Sequence, residues 1–246
     1  MLKIAVDKCY VLHISSNGHQ PTFVYKINNE NIPYANHHFR DLGVLIAQNL
    51  SNKDHVSVIR GKANGKTGLI YRCFRSRNQD FLKNLYITFV RPYSEFATSI
   101  WSPYTVTDIQ SVESIQRRFT SRMPTIQHLS YPDRLSYLDL ESLELRRLHV
   151  DLLELYKIVH FHSFVKFDAF FSFKQIMGTR TTHDLTLNIP RCRTNIGFNS
   201  FACRTARIWN ELPGNVVYST TIDEFKRKLS RLDLSQYLRC FPIYYA

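Results

Sequence analysis

A leucine-rich stripe in the third quarter of the chain constrains the fold more than any other feature. It predicts an α-helix over about residues 141–160, because apolar residues three and four positions apart fall on one helix face. A face of that length must be covered by other elements, and we expect Leu148 and Leu152 to be buried against neighbouring helices. The stripe consists of Leu145, Leu148, Leu152, Leu155 and Val159.

Helical spacing also occurs on both sides of this stripe. A helix ending or kinking at Pro92 is predicted from Phe81, Leu85 and Phe89, since proline cannot continue the backbone hydrogen bonds. Three residues are candidate helix caps: Thr107, Ser130 and Thr221. An earlier helix is predicted from the spacing of Val56, Ile59, Ala63 and Ile70.

Before residue 50 the pattern is typical of strands and turns instead. Runs over residues 10–14, 23–27 and 44–46 are rich in β-formers, and Asn28-Asn29 suits a hairpin turn. The sequence therefore predicts an α+β protein with a small antiparallel sheet, a mainly α-helical bundle and a mixed C-terminal extension. Residues 1–50, 51–125 and 126–246 are the predicted segments.

The charge balance restricts the class of partner. The 246 residues include 32 Lys and Arg against 20 Asp and Glu, a net charge of +12, and such a field attracts polyanions, most often nucleic acid. No apolar run is long enough to cross a membrane, and Asp7 and Lys8 interrupt any signal-peptide core. Five scattered cysteines favour a reducing compartment. We therefore expect a nuclear or cytoplasmic protein that is neither secreted nor membrane-bound.

One basic segment stands out, because its cations are uninterrupted by acid and interleaved with glycines. A solvated helix face usually mixes both signs, whereas a single-sign run favours contact with phosphates. The predicted nucleic-acid-binding residues are Arg60, Lys62, Lys66, Arg72, Arg75 and Arg77. A second acid-free stretch holds Arg191, Arg193, Arg204 and Arg207.

Neither a metal site nor an autonomous active site is predicted. Cys192 and Cys203 lie too far apart in sequence for a zinc-binding pair, and there is no nucleophile elbow, phosphate loop or dinucleotide fingerprint. Asp151 and Glu154 are expected on the solvated side of the long helix. We predict no catalytic residue, no metal ligand and no cofactor for this chain.

Several segments, taken together and in order, resemble the reverse transcriptases of non-LTR retrotransposons, the jockey-like and chicken-repeat-like elements. The resemblance extends over nearly the whole chain, from the end of the palm through the thumb to a C-terminal extension. In the first half of the chain it rests on Lys8-Cys9-Tyr10-Val11-Leu12-His13-Ile14, Phe39-Arg40-Asp41-Leu42-Gly43-Val44, Leu85-Tyr86, Val90-Arg91-Pro92-Tyr93, Trp101-Ser102-Pro103-Tyr104 and Gln116-Arg117-Arg118-Phe119. In the second half it rests on Tyr131-Pro132-Asp133-Arg134-Leu135, Arg191-Cys192-Arg193-Thr194-Asn195, Trp209-Asn210-Glu211-Leu212-Pro213 and Phe225-Lys226.

The resemblance implies roles for parts of the N-terminal half. Lys8 matches a lysine near the incoming triphosphate, and the hairpin that includes Phe39, Asp41, Leu42 and Gly43 matches a primer grip. Residues 51–125 would then be basic thumb-like helices lying along a template-primer duplex, after a palm remnant in residues 1–50. RNA, DNA or an RNA–DNA duplex is the implied partner.

The metal-binding carboxylates of that family would precede Met1, and this chain has no Asp-Asp pair. Two-metal nucleotidyl transfer needs carboxylates to hold Mg²⁺, the cofactor of the full-length family, so we expect this chain alone not to polymerise DNA. By this resemblance it would be a truncated RNA-directed DNA polymerase, and the missing N-terminal part of the polymerase is a further expected partner. Two other classes stay open: a non-catalytic nucleic-acid-binding protein derived from such an element, and a helical domain whose leucine stripe meets another chain.

Overall fold

The computed structural model describes residues 4–15, 23–175 and 182–240. These residues have the predicted α+β composition, and among them strands occur only before residue 50. The strands are β1 (Lys26–Ile27), β2 (Glu30–Asn31), β3 (His38–Asp41) and β4 (Val44–Ala47). The helices are α1 (Lys53–Cys73), α2 (Gln79–Leu85), α3 (Pro92–Glu95), α4 (Thr98–Trp101), α5 (Val106–Thr120), α6 (Tyr131–Tyr137), α7 (Leu143–Val159), α8 (Asn195–Phe198), α9 (Phe201–Glu211), α10 (Gly214–Val217) and α11 (Ile222–Leu229).

The strands form two antiparallel hairpins, β1–β2 and β3–β4, rather than one sheet. Asn28 and Asn29 have φ of 50° and 66°, which confirms the predicted left-handed turn of the first hairpin. Leu42 and Gly43 make the turn of the second, with φ of 43° and 94°. Two consecutive left-handed residues match the right-handed twist of the flanking strands, which accounts for the tightness of both turns.

The strand predicted over residues 10–14 is wrong. Among its residues only Val11 makes a bridge, a parallel one to Tyr34. The reason is a missing neighbour, because β-propensity becomes a strand only where another segment can pair along its length. The residues that follow this run, Ser15-Ser16-Asn17-Gly18, are typical of a turn, and residues 16–18 lie outside the described residues.

Helix α1 forms as its spacing predicts. Val56, Ile59, Ala63 and Ile70 are all buried, so one face of the helix packs inward. The three glycines of α1 lie on the opposite side, where they do not interfere with this packing. Each glycine costs about 1 kcal/mol of helix stability relative to alanine, and burial of the apolar face offsets that cost.

The prediction that the helix ends or kinks at Pro92 is confirmed, because the helical run ends at Val90 and a new helix starts at Pro92. Helix α2 continues into a π-helical turn at Tyr86–Val90, and α3 starts at Pro92. The Arg91 N–H donates to Tyr86 O at 2.9 Å, a bond one residue longer than in an α-helix. The predicted apolar face is partly wrong, since Phe81 and Phe89 are exposed.

Cap predictions are correct for two helices and wrong for one. Ser130 Oγ accepts from the Asp133 N–H at 3.3 Å, and Thr221 Oγ1 accepts from the Glu224 N–H at 3.1 Å. Helix α5 is capped by Thr105 instead of Thr107. Thr105 has the extended backbone of a cap, whereas Thr107 already lies in the first turn.

The leucine stripe of α7 is covered by the chain itself. Leu152, Leu155 and Val159 are buried with Trp209 and Phe225 in the largest apolar cluster, which α9 and α11 complete. Leu148 is only half-buried, so the expectation of full burial holds for Leu152 and fails for Leu148. No helix in the described ranges 4–15, 23–175 and 182–240 is long and apolar enough to span a membrane.

Candidate nucleic-acid interface

The second hairpin and α1 are joined through one buried histidine. His55 Nδ1 accepts a hydrogen bond from the Leu45 N–H at 3.2 Å, and its ring packs edge-on against Trp101 at 4.8 Å. Burial lowers the pKa of His55, and the nearby charges of Arg40 and Lys62 lower it further. The ring is therefore neutral, as its acceptor role requires, and it fixes the hairpin against the helix.

Beside His55 a cleft of about 290 Å³ opens between the hairpin, α1 and α3. Arg40 from β3 and Lys62 from α1 line it, together with the rings of Tyr93 and Phe96. Phe96 is 60% exposed, which is unusual for so large an apolar side chain. Two cations and two aromatic rings in one cleft are the groups that contact phosphates and unstacked bases.

Gly43 shapes the wall of this cleft. Its φ of 94° is a conformation that L side chains rarely adopt, and a Cβ there would lie 3.5 Å from the Phe96 ring. The tight turn therefore brings the hairpin tip directly against Phe96. Leu42, the other turn residue, points away and is 89% exposed.

All six cations of the predicted basic segment are exposed, but they do not form one face. Lys62 and Lys66 are one helical turn apart on the cleft side of α1. Arg60 lies on the other flank, since residues two apart in a helix point in nearly opposite directions, and it donates to Ser111 Oγ at 3.2 Å. The structure thus brings Lys62 and Lys66 together with Arg40 and separates Arg60 from them.

The remaining three cations lie at the C-terminal end of α1. Arg77 folds back onto the chain, donating to Tyr71 O at 3.2 Å and to Phe74 O, so it caps the end of the helix. Arg72 is the last-turn cation of α1 and Arg75 follows the helix. Within the described part of the chain, none of the six cations forms an ion pair.

The glycines of α1 leave a smooth strip beside these cations. A Cβ added at Gly61, Gly65 or Gly68 would meet no atom within 4 Å. No other element of the described chain therefore approaches the helix there. Small residues at these positions would let a nucleic-acid backbone approach the helix closely, which stays a prediction.

Residues assigned by resemblance lie on the same half of the molecule. Lys8 is exposed at the end of a 3-10 turn, and Tyr10 packs on Phe39 with ring centroids 5.5 Å apart. Phe39 is half-buried, while Asp41 is exposed next to the hairpin tip. The primer-grip-like residues thus lie on the second hairpin, and the segment that carries Lys8 contacts this hairpin through the Tyr10 ring.

The second acid-free stretch has a different environment. Arg204 donates Nε to Asp151 Oδ2 at 2.8 Å and Nη2 to Oδ1 at 3.0 Å. Asp151 is 3% exposed, so its expected place on a solvated face is wrong. Arg207 stacks on Phe198, with its guanidinium carbon 3.2 Å from the ring centroid. Only Arg191 and Arg193 of this stretch are exposed.

Two polar residues of the segments that carry the resemblance form hydrogen bonds inside the protein. Gln116 accepts from Tyr86 Oη at 2.7 Å and donates to Tyr131 Oη at 3.1 Å. The Asn210 side chain makes two hydrogen bonds with the backbone of Leu187. Its Oδ1 accepts from the Leu187 N–H at 2.8 Å, and its Nδ2 donates to Leu187 O at 2.9 Å. These side chains satisfy buried polar groups, which explains their residue types without a ligand.

Sequence reasoning missed three residues of the cleft as site residues: His55, Tyr93 and Phe96. Arg40 was noticed only as part of the hairpin motif. A signal existed for Arg40, because its neighbours on the hairpin were already assigned to the primer grip. Tyr93 likewise stood in a resembling motif, Val90-Arg91-Pro92-Tyr93, without being assigned to a site. No signal existed for His55 and Phe96, since an isolated histidine or aromatic residue is usually a core residue.

No group of three or more possible metal ligands occurs among residues 4–15, 23–175 and 182–240. The chain matches no family model, no curated protein and no solved structure. The cleft, its cations and the hairpin therefore carry the functional argument by themselves.

Proposed function

We propose that the surface formed by the second hairpin and α1 binds the sugar–phosphate backbone of nucleic acid. The observation that carries this proposal is the cleft beside His55, where Arg40 and Lys62 face the rings of Tyr93 and Phe96. Two different elements, β3 and α1, supply the two cations, and neither cation forms an ion pair with the described residues. Phosphate oxygens are the complementary groups.

The surface continues beyond the cleft along α1. Lys66 follows Lys62 after one turn on the same side of α1. Arg72 and Arg75 add positive charge at the C-terminal end of the helix, where Arg72 points to a different side. A helix rises about 1.5 Å per residue, so Lys62 and Arg72 are about 15 Å apart along the axis. That length spans several phosphates of a duplex strand, which supports binding without sequence preference.

By its resemblance, the chain is proposed to derive from the C-terminal part of a non-LTR retrotransposon reverse transcriptase. An RNA–DNA duplex is then the preferred ligand, in the nucleus or cytoplasm, and the N-terminal part of such a polymerase is a second partner. The proposal assigns binding and no catalysis to this chain, because nucleotidyl transfer needs metal-binding carboxylates.

Salt dependence of binding tests the proposed surface. The variant R40Q/K62Q/K66Q should bind an RNA–DNA duplex more weakly, and the log–log salt slope should fall by about 2–3 units if each cation contacts one phosphate. The measurement is fluorescence anisotropy with a labelled duplex over a range of salt concentrations. A slope unchanged from that of the wild type would contradict the proposal.

A matched control removes the same charge elsewhere. Lys166, Lys174 and Arg227 are exposed and make no side-chain hydrogen bond or ion pair with the described residues. Their triple change to Gln lowers net charge equally without touching the cleft. If both triple variants lose the same affinity, binding depends on bulk charge and the assignment of this surface fails.

A further inference from the structure

Two cysteines of the C-terminal part are in direct contact. Cys192 Sγ and Cys203 Sγ are 2.9 Å apart although the residues are eleven positions apart in sequence, and both are free thiols. Both sulfur atoms also face the carbonyl oxygen of Pro190, at 3.6 Å and 3.8 Å. The contact is therefore made by the fold.

The surrounding residues fix both cysteines in this contact, Cys203 from α9 and Cys192 from the turn α8. Cys203 is 2% exposed in the first turn of α9, so helix packing fixes it. Thr194 caps the turn α8 by accepting from the Gly197 N–H at 3.1 Å. A Cβ at Gly197 would lie 3.4 Å from Cys192 Cβ and 3.5 Å from its sulfur, so this turn packs over Cys192.

We propose that Cys192 and Cys203 are an oxidisable dithiol, a modification site that a hydroperoxide converts into an intramolecular disulfide. Cys192 is partly exposed, and an oxidant in solution can reach it first. Cys203 is buried directly behind it and is placed to react with the product. The site is separate from the proposed nucleic-acid surface and does not depend on it.

The reaction has two balanced steps. The Cys192 thiolate attacks one peroxide oxygen, the O–O bond breaks, and the departing hydroxide takes up the thiol proton as water, leaving a sulfenic acid. The Cys203 thiolate then attacks the Cys192 sulfur, the S–O bond breaks, and the second hydroxide leaves as water. Two thiols lose two electrons in total, and hydrogen peroxide is reduced to two waters.

The microenvironment sets the rate of the first step. The hydrogen bond with Cys203 raises the pKa of Cys192 above its usual 9.0, partial desolvation raises it further, and Arg207 opposes both. The thiolate is the nucleophile, so little of it is present at neutral pH. The oxidation therefore needs hydrogen peroxide in large excess over protein.

Peptide mapping of the full-length chain after peroxide treatment tests the proposal. We expect a linked peptide pair that contains Cys192 and Cys203, with a mass lower by two hydrogen atoms and restored by dithiothreitol. Cys73 is exposed at the end of α1 and provides an internal reference for the dose of oxidant. If Cys73 is oxidised while Cys192 and Cys203 both stay free thiols, the proposal is overturned.

Thermal unfolding gives a second readout on the unsubstituted chain. The disulfide would close a short loop, and closing such a loop removes freedom from the unfolded chain. The Tm of the oxidised protein should exceed that of the reduced protein by roughly 5–10 °C. A Tm that falls on oxidation would mean that the bond distorts the native contact, which contradicts a preformed site.

Serine variants separate the two roles. In C203S the Cys192 sulfenic acid has no resolving thiol, so it should proceed to sulfinic acid. In C192S the buried Cys203 should stay reduced, whereas C73S should oxidise at the pair as the wild type does. If Cys203 in C192S reacts as fast as Cys73 does in the wild type, the assigned order of attack is wrong.

Discussion

Residues 60–77 and residues 191–207 look alike in sequence, since both are rich in arginine and contain no acid. In the structure, the first stretch keeps its cations at the surface without ion pairs, whereas the second directs Arg204 into a buried pair with Asp151. The counter-charge comes from α7, 53 residues earlier in the chain. An acid-free run in sequence is therefore no guarantee of an acid-free environment.

The difference follows from what each stretch packs against. Helix α1 uses one apolar face for the core and leaves the rest to solvent, so long basic side chains extend outward. Helix α9 lies between α7 and the C-terminal residues, where a charged group is stable only with a partner. Residues 60–77 are therefore suited to bind an anion from outside the chain, whereas residues 191–207 already bind the Asp151 carboxylate through Arg204.

Breaking the internal pair should have the largest effect. Arg204→Gln leaves the Asp151 carboxylate buried without its partner, and we expect a loss of about 3–5 kcal/mol in the free energy of unfolding. Arg72→Gln, the matched change in the exposed stretch, should cost under about 0.5 kcal/mol. Chemical denaturation of both variants checks the contrast, and equal losses would show that the two stretches do not differ.

Acidification should weaken the first region through His55. Burial lowers the pKa of His55, so its neutral form contributes stability that is fully present above the ordinary value of 6.5 and is lost as pH falls. We expect the free energy of unfolding to decrease from pH 7.5 to pH 5. The titration of the His55 ring in NMR spectra identifies the group.

The two cations of the cleft provide a further test of the role of His55. Arg40 and Lys62 contribute to the lowered pKa of His55, so R40Q/K62Q should raise that pKa toward its ordinary value. The loss of stability on acidification should then become smaller. If the titration midpoint of His55 does not move, the two cations are not close enough to act on the ring.

The smallest effect concerns the tip of the hairpin. Leu42 has φ of 43°, which leucine adopts at a cost, and Asn before Gly43 is the preferred pair for such a turn. Leu42→Asn should stabilise the fold by about 0.5–1 kcal/mol, measured by thermal unfolding. If the exposed leucine contacts nucleic acid, the same variant should bind the duplex more weakly despite its greater stability.

Local sequence determined the elements whose signals lie within a few residues. The Asn28-Asn29 turn, the caps at Ser130 and Thr221 and the kink at Pro92 depend on backbone geometry and on hydrogen bonds between near neighbours. Helical spacing likewise predicted the buried face of α1. The strand predicted over residues 10–14 failed because pairing needs a distant partner.

Tertiary structure alone decided the sites. The cleft needs Arg40 from a strand and Lys62 from a helix. Their meeting depends on the packing of Val44 with Val56 and Ile59 and on the hydrogen bond from the Leu45 N–H to His55. Arg204 is held in the interior because it pairs with Asp151 of α7. The thiol of Cys192 contacts Cys203 because α8 packs over it. Spacing along the chain carries the local backbone pattern, whereas charge pairing, burial and thiol contact depend on which distant residues the core brings together.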